Sequence, residues 1–190
     1  MNWDKINSWT VTLYALIHSF RLARTIEFGN LTKLDASIQE AASWLPTVSS
    51  YNSVLLSQHF GNRAVRFRRD PNVHFESIIS RIICMLIQDL LVIFDSMMDE
   101  ALAARGETSG NYPRNKIEKL ATHLDAKYLW AEHGCLELVA VRNVLTHSDG
   151  KWNEDAISIV APFVSDPPSP GDRLTIGMPM LFRYRKAIYW

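Results

Sequence analysis

Apolar residues recur at helical spacing over most of the first 150 positions of this chain. Ile6, Trp9, Leu13, Leu16, Ile17 and Phe20 follow a period near 3.6 and Gly29 interrupts it, which predicts a first long helix over 4–28. Asn30 stands where a helix cap is needed, ahead of Leu31, Leu34, Ile38, Ala41 and Leu45. Pro46 closes that second helix, because proline cannot continue a helix interior, and the two helices form a hairpin. Residues 47–72 lose the period. Phe75 to Ala104 then runs without glycine or proline, and Ile79, Ile83, Leu86, Leu90 and Phe94 belong to an apolar set surrounding its middle. Such a helix is expected to lie at the centre of a bundle, about 45 Å long at 1.5 Å per residue. Arg105 to Pro113 has turn chemistry, and Ile117, Leu120, Ala121 and Leu124 mark a short helix.

The next stretch, Leu136 to Gly150, carries two stripes. Leu138, Val141, Val144 and Leu145 make a core-facing one, while Leu136, Ala140, Asn143 and His147 line up on roughly the opposite side. Gly150 reads as the cap that ends this helix. Gly134, near its beginning, permits either a break or close packing of backbones. After 150 the texture changes. Ile157–Val164 is β-like, Ser165–Asp172 is a turn or loop, and Leu174, Ile176 and Met178 alternate as a strand does. The expected fold is therefore mainly all-α: residues 1–150 form a helical bundle around one long central helix. Residues 151–190 form a short β-hairpin-like extension packed on the same domain.

Composition removes several classes of function. Twenty basic residues balance twenty acidic ones, so any phosphate-binding surface must be local. Cys84 and Cys135 lie in apolar helical runs and read as reduced core thiols, which suits a cytoplasmic setting better than a disulfide framework. No segment reads as a signal peptide, and Arg81, Gln88 and Asp89 interrupt the most hydrophobic run, which argues against a membrane span. No Cys/His cluster has metal-ligand spacing and no glycine loop has a phosphate-cradling pattern, so neither a metal nor a cofactor is expected. Asp89, inside an apolar run, reads either as a satisfied core carboxylate or as a partner for Arg142.

Two groups of residues carry candidate chemistry. Arg63, Arg66, Arg68 and Arg69 are either a clamp for an RNA backbone or a solvated basic loop. Arg142-Asn143-x-x-x-His147 ends an amphipathic helix. Arginine presents a fixed, charged fork that suits phosphate, and histidine moves protons near neutral pH. Alternatively, both cations simply complement the helix C-terminal dipole. The bare Arg-to-His spacing recurs at Arg68 and Arg69 with His74, but that copy crosses Asp70-Pro71 and lacks the adjacent asparagine.

With these residues in view, the helical part resembles the HEPN superfamily, whose ribonucleases carry an Arg-x(4–6)-His motif often beginning Arg-Asn. The resemblance follows helix order over residues 1–150 and matches at motif level only at 142–147. It implies a metal-independent endoribonuclease of toxin or defence type, with Arg142, Asn143 and His147 catalytic and the RNA's own 2′-hydroxyl as nucleophile. It further implies a homodimer with two motif copies facing one cleft, and Leu136 and Ala140 on the second stripe are the expected interface. An antitoxin or other regulatory protein is a further candidate partner. The alternatives are a catalytically silent HEPN-like module that binds RNA, a nucleotide or a protein, and a helical oligomerisation scaffold.

Overall fold

The computed structural model describes residues 3–25, 71–108 and 110–190, with side chains over 3–20, 78–108 and 110–190. The expected helix over 30–45 and the four arginines of 63–69 lie outside the described residues. The chain divides into two compact units, one of Met1–Thr12 with Ser80–Trp190 and one of Leu13–Ile79. In the second unit the described part is helical: α1 (Trp3–Thr25) continues through it with Leu13 buried, and α2 (Pro71–Ala104) begins in it. The start of α2 at Pro71, four residues before the expected one, follows from proline's lack of an N–H, which the first helical turn does not use.

The first unit is built of helices, which the spacing of apolar residues predicts as far as residue 147. Besides its parts of α1 and α2 it contains α3 (Pro113–Ala121), a 3₁₀ turn (Ala126–Tyr128), α4 (Leu129–His147), α5 (Glu154–Val160) and α6 (Met178–Tyr189). α4 packs against α3, the 3₁₀ turn, α5 and α6. It buries nine of its 19 residues, including Leu138, Val141 and Val144 of the core stripe, while Leu145 is half-buried. α2 is the long helix expected, yet its surroundings are one-sided. Ile83, Ile87, Leu90 and Leu91 are buried, but Arg81, Met85, Asp89 and Val92 form an exposed stripe at i, i+4, i+8 and i+11. Among the described residues, an apolar circumference in the sequence thus does not make α2 the most enclosed helix; α4 is.

Specific polar contacts fix the helix pairs. Trp9 Nε1 donates to the Leu86 carbonyl at 3.1 Å, tying α1 to α2, and Arg185 Nε donates to Thr10 Oγ1 at 2.8 Å, tying α6 to α1. Lys116 of α3, only 4 % exposed, reaches Asp95 at 2.9 Å and Asp99 at 2.6 Å, one turn apart on α2. Burial alone would lower the Lys116 pKa, but the hydrogen bonds and charges of Asp99 and Asp95 outweigh it and raise it. The Tyr184 hydroxyl donates to Glu137 Oε1 at 3.1 Å, and Arg183 pairs with the same carboxylate. Burial first, and the Glu137 carboxylate second, push the Tyr184 phenol up, so it stays a donor.

The C-terminal segment corrects the β-hairpin expectation. Residues 154–160 are helix because Asn153 caps them, its Oδ1 accepting from the Ala156 N–H at 2.8 Å, and Ala156, Ile159 and Val160 are buried at helical spacing. The β preference of Ile157 and Val160 is a weak, context-dependent term that the cap and the packing override. Leu174 and Ile176 lie in irregular chain, and Met178 opens α6 with Pro179 in its first turn. Among the described residues the pairing across this segment is a single antiparallel bridge, Lys151 with Arg173. Three backbone bonds flank it: Trp152 N–H to Asp172 at 2.9 Å, Gly171 N–H to Trp152 at 2.8 Å and Leu174 N–H to Gly150 at 2.8 Å.

Candidate functional site

The end of α4 is set by backbone geometry. Asp149 and Gly150 take positive φ (49° and 72°), and the Gly150 N–H returns to the Val144 carbonyl at 3.1 Å. This is the glycine cap expected from the sequence, and the left-handed conformation is what favours glycine there. The chain reverses at once into α5. Asn153 links the two helix ends, donating from Nδ2 to Ser148 Oγ at 2.6 Å while capping α5 with its oxygen. His147 is therefore held at a corner with defined covalent neighbours on both sides.

Arg142, Asn143 and His147 come together there. Arg142 Nη1 lies 3.4 Å from Asn143 Oδ1 and 3.4 Å from His147 Nε2. Both contacts are at the long limit of a hydrogen bond, so an anion arriving at the guanidinium displaces little. Arg142 and Asn143 are half-buried and His147 is exposed. The three line a cleft of about 460 Å³ whose other walls come from Tyr112 and the first residues of α3, Pro113 to Asn115, and from Asn153 and Asp155 at the cap and first turn of α5. Leu91, Val139 and Ile159 supply apolar surface. The cleft thus lies between the C-terminal end of α4 and the N-terminal end of α3, and Arg114 brings a second guanidinium to it. Arg114 Nε is paired with Glu118 Oε1 at 2.8 Å, an i,i+4 contact on a half-exposed surface.

The α3 wall is not among the residues expected from the sequence. Its signal was the second Arg-Asn pair, Arg114-Asn115, which repeats the dipeptide of 142–143. Pro113, expected to close the turn region that begins at Arg105, instead occupies the helix start. Lys116, which anchors this helix to α2 two residues beyond Arg114, had no recognisable pattern at all.

Other expected residues take different places. Leu136 and Ala140 are covered within the chain itself, 8 % and 0 % exposed, so they do not offer a face to a second copy. The second stripe is covered at its Leu136 end and opens only at Asn143 and His147. Asp89 lies on the exposed stripe of α2 and is neither a core carboxylate nor, among the described residues, a partner of Arg142. Gly134 resolves in favour of close packing: α4 runs through it without a break, against Ala187 of α6. Cys84 and Cys135 are free thiols, half-buried and buried. Burial, with a smaller contribution from the Glu132 carboxylate, pushes the Cys135 thiol up to about 12.

Among the described residues, no three His, Cys, Asp or Glu side chains gather so as to hold a metal ion, and no helix is long and apolar enough to cross a membrane. Compared with protein-family models, curated proteins and solved structures, the chain finds no match.

Proposed function

We propose that the chain is a metal-independent endoribonuclease of HEPN type, acting on RNA at the cleft that carries Arg142, Asn143 and His147. One observation supports this reading above others: a guanidinium and an imidazole nitrogen 3.4 Å apart on the wall of one cleft. Arg142 pairs with a non-bridging phosphate oxygen and offsets the charge that grows on it as the phosphorus becomes five-coordinate. His147 Nε2 takes the proton of the ribose 2′-hydroxyl. The 2′-oxygen attacks phosphorus, the bond to the 5′-oxygen breaks, and that oxygen takes a proton from solvent. The products are a cyclic phosphate and a 5′-hydroxyl. Asn143 holds the Arg142 fork at rest through its amide oxygen. The C-terminal end of a helix is the unfavourable pole for an anion, so side chains must supply the positive charge. A regulatory protein would act most simply by covering the mouth of the cleft, and a homodimer would form through surfaces other than Leu136 and Ala140.

The test is incubation of the purified chain with total RNA, with and without EDTA. Cleavage is expected in both conditions, with Arg142→Ala and His147→Ala each losing at least about a hundredfold in rate, the scale of one acid–base group. His74→Ala, the chance copy of the spacing, keeps its activity. Cleavage indifferent to both site substitutions overturns the reading. RNA binding without cleavage makes the chain a silent module, and neither binding nor cleavage leaves the scaffold alternative.

A further inference from the structure

We infer that the α3 wall of the cleft is the substrate-reading half of the site, and that it selects single-stranded RNA by stacking one unpaired base on Tyr112 while Arg114 holds the neighbouring phosphate. This inference rests on the RNA reading above and names the class of RNA. Tyr112 is the most exposed large ring among the described residues, 71 % accessible, yet it lines the same cleft as Arg142 and His147. A ring so exposed at the edge of the cleft keeps an open face among the described residues, and a base supplies the cover. Only an unpaired base can do so, because in a duplex both faces are already stacked. Arg114 stands two residues on, and Pro113 between them fixes the backbone angle that separates ring from guanidinium. Its contact to Glu118 is made through Nε, at 2.8 Å on a half-exposed surface, so a phosphate competes with it at small cost. Asn115, the last residue of the wall, carries an amide suited to a base edge.

The rest of the geometry agrees with a positioned wall rather than a loose loop. Lys116 is buried and pairs with Asp95 and Asp99 of α2, which anchors the turn of helix that carries Arg114 and Asn115 beside the cleft. The second guanidinium of the site is therefore present within one chain. A cleft with cations on two walls can hold consecutive phosphates of a strand: one at Arg142, where the bond breaks, and one at Arg114.

The experiment measures binding of a fluorescein-labelled, fully 2′-O-methylated RNA 12-mer, which cannot be cleaved, by fluorescence anisotropy, alone and annealed to its complement. The full chain is expected to prefer the single strand. Tyr112→Ala weakens single-strand binding about tenfold, the scale of one lost base–ring stack, while Tyr112→Phe binds as the parent does. Arg114→Gln weakens binding for every sequence and reduces the slope of log K against log salt by about one. A Tyr112→Ala protein that binds the single strand as tightly as the parent overturns the inference, as does equal affinity for single strand and duplex; neither result touches the cleavage reading. Failure of the parent chain to bind either RNA removes the RNA reading itself, and this inference with it.

Discussion

Gly134 of α4 and Ala187 of α6 stand so close that a methyl group built on the glycine would lie 2.7 Å from the Ala187 Cβ. The obstacle is a Cβ fixed to a helix backbone, which cannot move aside as the tip of a long side chain can. Alanine at 134 would gain about 1 kcal/mol in helix propensity, but the forced separation of two packed helices costs about 1–3 kcal/mol. Gly134→Ala is therefore expected to lower the urea midpoint, and Gly134→Ala with Ala187→Gly to recover most of the loss. A single variant more stable than the parent would show that the helices are not in contact at this point.

Lys116 is expected to matter for stability more than any exposed ion pair. Replacing it with methionine takes away the cation that Asp95 and Asp99, one turn apart on α2, both reach. Both carboxylates reach water, so the loss is about 1–2 kcal/mol, below the range for a fully buried pair. The pH dependence has a definite sign. Folding raises the Lys116 pKa from its ordinary 10.5, so its contribution is complete below that value and disappears as pH rises beyond it. The difference in stability between parent and Lys116→Met should accordingly be constant through neutral pH and shrink in strong alkali. A difference that grows there would mean the lysine is held by something other than the two aspartates.

Much of the helical frame was legible in the sequence, and the reasons for the exceptions are physical. Leu138, Val141 and Val144 are buried where a 3.6 period puts them, because that stripe is wide enough to outweigh local preferences. The cap at Gly150 was legible because few residues other than glycine take its backbone angles at no cost. The helix at 154–160 was not, since its second half, Ile157-Ser158-Ile159-Val160, carries nearly equal helix and strand signals. Only the Asn153 cap and the packing decide it. The motif half of the site could be read because Arg142 and His147 share one helix. Its other wall, Tyr112 to Asn115, reaches the cleft through tertiary packing around Lys116, which no spacing rule encodes.

The two thiols should differ sharply in reactivity. With Cys135 pushed up to about 12 by burial, its thiolate at pH 8 is on the order of one part in ten thousand, and access is poor as well. Cys84 is also raised, by burial opposed by a backbone hydrogen bond, but it is half-buried and free. Iodoacetamide applied to the native chain is expected to label Cys84 well before Cys135, and both together once urea unfolds it. Labelling of Cys135 first would mean that the α4 core opens readily.

The burial of Ala140 changes what a charge at that position does. Had the residue faced a second chain, Ala140→Asp would separate two folded copies and leave each intact. Ala140 instead has no exposed surface in the single chain and sits between Val139 and Val141, both buried. A carboxylate there has no water to face and must either be neutralised or force the helices apart. The expected loss is therefore about 3 kcal/mol or more, as for an uncompensated buried charge. It should appear as a lower urea midpoint, with whatever activity survives following the folded fraction. Light scattering after size exclusion separates the two outcomes. The folded part of the Ala140→Asp protein should have the same mass as the parent, whatever that mass is. A variant of parental stability and half the parental mass would place Ala140 at an interface and refute the burial described for α4.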